Sequence, residues 1–205
     1  MFKRLTSSHL AILLAGATIV GCTADQALIV SPRLGGGAPP LGVVSDPAGA
    51  PVHPVQRQVA LLQDRSWSFD VGPAGTTVKD GPTGLTIDVP AGAVASTTHI
   101  TVIALKGAPL AYRFEPHGLQ FVVPVRLTQS LRGLKVVSPL GVPHLFGGYF
   151  AADSLASDAA TGEARVCEIL PLRIDIKAQA ALLDIRHFSG YTVASAERDS
   201  SLVER

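Results

Sequence analysis

Two places in the chain combine residue types and spacing suited to chemistry. At His187-Phe188-Ser189 an imidazole stands two residues before a hydroxyl. A hydroxyl is a weak nucleophile until an adjacent base takes its proton, and histidine is the usual base. Period-two spacing puts Leu183, Ile185, His187, Ser189, Tyr191 and Val193 on one strand face. That face is otherwise apolar, so His187 and Ser189 are expected side by side at a buried edge. The same placement suits a structural role, in which both side chains bond neighbouring backbone and fix strand register. The second place is Cys22, which follows Lys3, Arg4 and the apolar run from Leu10 to Val20. The run is shorter than the roughly 20 residues that span a bilayer and matches the core of a secretory signal. No G-x-S-x-G, P-loop, H-E-x-x-H or EF-hand pattern occurs. His53, His99, His117 and His144 stand isolated and read as surface or turn residues. Asp153, Asp158 and Glu163 do not follow calcium-loop spacing. No metal and no cofactor is expected.

The elements that must position these residues read as strands. Leu85, Ile87 and Val89 alternate with Thr86 and Asp88; Phe121, Val123, Val125 and Leu127 alternate with Pro124, Arg126 and Thr128. Leu172, Ile174 and Ile176 do the same, while His99 to Leu105 is apolar on both faces, as a central strand should be. Turn signals separate them: Gly72-Pro73, Asp80-Gly81-Pro82, Pro90-Ala91-Gly92, Pro116-His117-Gly118 and Thr161-Gly162. Short strands at this spacing predict an all-β, antiparallel β-sandwich. Trp67 and Phe69 begin a buried strand, and Tyr149 and Phe150 pack in the core. Pro54 to Arg65 stays open between a short helix and a first strand. The 205 residues carry a net charge of +1, which excludes a nucleic-acid binder working through a strong basic field. With 47% hydrophobic and 16% charged residues the chain is not disordered, and two cysteines exclude a disulfide-dense scaffold.

The run Ile19-Val20-Gly21-Cys22 resembles the lipobox of bacterial lipoproteins. That resemblance implies removal of residues 1–21, lipid on the Cys22 thiol and its new amine, and a membrane as partner through the anchor. Thr23 after the cysteine leans toward the outer membrane. The remaining chain would hold 184 residues with a charge of −1. Cys167 would then be the only thiol and pack as a small apolar residue. Residues 22–60 read as the lipidated cysteine and a Gly/Pro-rich tether, 61–195 as the sandwich, and 196–205 as a polar tail.

Three stretches resemble the ZU-five domain of zonula occludens proteins, netrin receptors and ankyrins. They are GLTIDVPAGAV from Gly84, YRFEPHGLQFVVPVRL from Tyr112 and LDIRHFSGYTV from Leu183. The family's turn has a second proline where this chain has Ala91. The resemblance implies a β-sandwich that scaffolds or contacts a protein partner. It also implies an alternative: in some ZU-five domains, notably that of the PIDDosome, an HFS motif cleaves itself. Ser189 would then be the nucleophile, His187 the base, and Phe188–Ser189 the bond cut. Such members often carry an aromatic directly after the serine; here Gly190 comes first and Tyr191 second.

Overall fold

The computed structural model describes residues 42–43, 49–136, 144–151, 155, 157–158 and 160–195. The signal region, Cys22, most of the tether and the polar tail lie outside the described residues. The strands are β1 (Gly42–Val43), β2 (Ala50–Pro54), β3 (Gln56–Leu61), β4 (Arg65–Val71), β5 (Thr76–Asp80), β6 (Leu85–Val89), β7 (Thr98–Ala104), β8 (Gly107–Pro109) and β9 (Ala111–Glu115). They continue as β10 (Gln120–Ser130), β11 (Leu134–Lys135), β12 (Leu145–Phe150), β13 (Ala164–Val166), β14 (Glu168–Leu170), β15 (Leu172–Asp175), β16 (Ala180–His187) and β17 (Gly190–Ser195). Among the described residues there is no helix, and the sheets are antiparallel. The described part of the chain is all-β, as its periodicity predicts.

One sheet runs β1-β14-β12-β17-β9-β7-β4, with β2 and β13 attached beside β17. A five-stranded sheet runs β15-β16-β10-β6-β5, and a small one runs β11-β3-β8. Alternation sends Leu85, Ile87, Val125, Leu127, Leu183 and Ile185 inward from the five-stranded sheet. Ile100, Val102, Tyr112, Phe114, Tyr191 and Val193 meet them from the large sheet in one apolar cluster. Burial of such side chains is the main force holding the layers together. β7 lies between β4 and β9, and Ile100, Val102 and Ala104 are wholly buried, as the central-strand reading requires. β6 stops before Pro90, which has no N–H for a ladder, and Gly92 takes φ +78° in the turn.

Three local expectations change. Val123 does not join the inward face. The register of β10 against β16 shifts between Gln120 and Val125, across the stretch that contains Pro124, and leaves Val122 80% and Val123 37% exposed. Ile176 lies past the end of β15 and is exposed. The domain also begins earlier than residue 61: Pro54 to Arg65 contributes β3, and β2 pairs with β13 and β17, burying Val52 and Val55. The proline-rich composition of this stretch conceals its alternation.

Buried polar groups tie the layers. The Arg57 guanidinium donates to the carbonyls of Leu105, Gly107, Pro109 and Ala111, and lies 5.9 Å from the Tyr112 ring centre. Burial pushes its pKa down, yet four carbonyls take the place of an acid partner. At the sheet rim Arg65 grips Asp80 with Nη2–Oδ1 at 2.8 Å and Nε–Oδ2 at 3.2 Å, and Thr83 donates its N–H and hydroxyl to the same carboxylate. The Arg65 hydrogen bond, with help from Thr83, holds the Asp80 carboxyl below its ordinary range. Arg126 does the same for Asp184. Folding therefore lowers both pKa values. Their contribution is complete above the unfolded value of 3.8 and is lost as pH falls below it. The urea midpoint should fall between pH 5 and pH 3, and Asp80→Asn should make that fall shallower; an unchanged pH slope in Asp80→Asn would count against this pairing.

Candidate functional site

Phe188 and Ser189 form the step from β16 in the five-stranded sheet to β17 in the large sheet. This step is fastened to a second turn, Pro116 to Leu119, which joins β9 to β10. The Phe188 N–H donates to the Leu119 carbonyl at 2.8 Å. The Gly118 N–H donates to the Phe188 carbonyl at 2.8 Å, and the Phe114 N–H to the Ser189 carbonyl at 3.0 Å. Phe188 is 0% exposed. Its ring stacks on Phe114 at 5.0 Å and meets Phe121 edge-on at 4.7 Å. Gly190 follows because nothing larger fits: a Cβ there would stand 2.2 Å from the Phe150 ring. The absence of an aromatic directly after Ser189 thus has a packing cause.

Ser189 is buried within this clamp. Its Oγ lies 2.9 Å from His117 Nε2 and 3.3 Å from the Phe150 carbonyl. The expected His187–Ser189 pair does not form. Period two holds only within a strand, and the chain changes sheets between these residues, so their side chains part. His187 instead joins Tyr149 and Tyr191. The Tyr191 hydroxyl donates to the His187 carbonyl at 2.7 Å and lies 3.2 Å from His187 Nδ1. With that hydroxyl proton committed to the carbonyl, the phenol oxygen accepts from Nδ1–H. Tyr149 meets the imidazole edge-on at 5.1 Å. Burial first, and the charge of His117 second, push the His187 pKa down. Burial likewise raises the Tyr191 pKa, so its hydroxyl keeps its proton.

His117, read from the sequence as an isolated turn residue, is therefore the imidazole at Ser189. It lies 72 positions away, so no local spacing announces the contact. The only cue is its place in a Pro-His-Gly turn.

Other chemistry is sparse. Among the described residues no group of three His, Cys, Asp or Glu side chains is placed to hold a metal. A groove of about 570 Å³ runs past Leu61, Leu105, Pro109 and Leu155, and its acid, Asp64, accepts the Lys106 N–H at 2.7 Å. His99 is not isolated: its Nδ1 lies 2.7 Å from Asp70 Oδ1 on the exposed side of β7. Cys167 is buried as expected but is disulfide-bonded, which corrects the expectation of a packing thiol. The alternation around it reports burial and is blind to sulfur chemistry.

No known family and no curated protein matches this sequence.

The clamp predicts a measurable cost. Phe188→Ala should lower the unfolding free energy by about 3–5 kcal/mol, the usual range for emptying a buried aromatic position. Phe188→Leu should cost less. Denaturant titration reads both, and a near-neutral Phe188→Ala would show that the ring is not the anchor of this turn.

Proposed function

We propose that the chain is an exported bacterial cell-envelope lipoprotein whose ZU-five-like β-sandwich acts as a non-enzymatic interaction or structural module. The observation that carries this reading is the N-terminal order: Lys3 and Arg4, an apolar run, then Gly21-Cys22, all ahead of the described strands, which begin with β1 at Gly42. Several acyl chains on one residue hold a protein firmly to a membrane. Thr23 favours the outer membrane. The commitment of polar side chains to the fold supports a module role: Arg57 binds carbonyls, Asp80 binds Arg65, and Gln129 accepts from Tyr112 at 2.8 Å. Cys22→Ser should move the protein from the membrane fraction to the soluble fraction, and a variant that stays with the membrane overturns the lipid anchor. The disulfide at Cys167 sharpens the test, because the chain has two cysteines. A thioether lipid on Cys22 and a disulfide from Cys22 exclude each other on one molecule. Intact mass without reductant separates them.

A second reading, self-cleavage between Phe188 and Ser189, is favoured by one feature. The Gly118 N–H already sits on the carbonyl oxygen of the bond that would be cut. A donor there stabilises charge that develops when a nucleophile adds to the carbonyl. The product would be residues 189–205, a 17-residue piece. β17 lies between β12 and β9, so backbone bonds would retain this piece in the folded protein. Mass spectrometry under denaturing conditions should show its loss, and Ser189→Ala should abolish it. A chain that remains whole after long incubation sinks this reading.

A further inference from the structure

We infer that His117, rather than His187, is the base that activates Ser189, and that the turn His117-Gly118 supplies both the proton acceptor and the oxyanion donor. This rests on the self-cleavage reading. His117 Nε2 is 2.9 Å from Ser189 Oγ, while the next residue's N–H is 2.8 Å from the Phe188 oxygen. One turn thus addresses both partners of the reacting pair. The serine hydroxyl has one proton and two acceptors within reach; with Nε2 unprotonated, the shorter contact is the imidazole. His187 faces the Tyr149–Tyr191 side and contributes its Nδ1 there.

The step balances without any outside reagent except water. Ser189 Oγ gives its proton to His117 Nε2 and adds to the Phe188 carbonyl carbon. The resulting oxyanion is held by the Gly118 N–H. Collapse breaks the carbon–nitrogen bond, and the Ser189 nitrogen leaves with the proton from Nε2. An ester joins Phe188 to Ser189 Oγ. Water then adds to the ester and releases a Phe188 carboxyl group and a Ser189 hydroxyl.

The test uses the full-length chain, with intact mass read under denaturing conditions, with and without hydroxylamine to open the ester. Wild type and His187→Gln should release residues 189–205 at similar rates. His117→Ala should slow release at least ~100-fold, the usual scale for losing a general base. His117 is solvent-exposed, so the fold should tolerate its loss, and thermal melting checks this. Exposure also admits added imidazole, which should restore cleavage in His117→Ala. Slow cleavage that imidazole does not restore assigns His117 a merely positioning role and overturns it as the base. Cleavage of His117→Ala at the wild-type rate, with Ser189→Ala inert, overturns the inference but leaves self-cleavage standing. A wild-type chain that stays whole, even in hydroxylamine, overturns both.

Discussion

The burial of Phe188 between the two sheets is the constraint on which this molecule turns. The chain must cross from β16 to β17 at this point, and a crossing exposes backbone groups that no strand partner satisfies. The ring of Phe188 pulls the step into the core against Phe114 and Phe121. Backbone bonds to Leu119 and Gly118, and from Phe114, then satisfy the step. The turn between β9 and β10 is thereby brought against the HFS turn. Without that packing, His117 and Ser189 would have no reason to meet.

The same principle recurs at Arg57. A buried guanidinium is costly unless its donors are used. Here it collects the carbonyls of the segment from Leu105 to Ala111, which runs through β8 and carries only a short stretch of sheet. Arginine replaces a missing ladder. Asp80 plays the converse part, its carboxylate accepting from Arg65 and from the turn at Thr83. Among the described residues, polar side chains in this sandwich are mostly bound to backbone and to each other, and Ser189 is held in the same way by His117 and the Phe150 carbonyl.

The strands were legible because burial on one face writes itself as alternation. Leu85-Ile87-Val89, Ile100-Val102 and Leu183-Ile185 fall on the inner faces of their sheets. Alternation failed where its premise failed. At Val123 a register shift breaks the pleat, and at Ile176 the strand has already ended. Between Ala50 and Leu61 the prolines at 51 and 54 masked two strands that bury Val52 and Val55.

For the candidate site, residue chemistry and position part company. The sequence by itself determined that Ser189 follows His187 and Phe188 in a strand-rich C-terminal region, and that histidines are at hand. Choosing His187 assumed that one strand continues through Phe188. Only the tertiary structure decided that the strand ends there, that His187 turns to Tyr191, and that His117 arrives from 72 residues away. The physical reason is that periodicity encodes which way a side chain points within one element, whereas a contact between two turns depends on how two sheets pack.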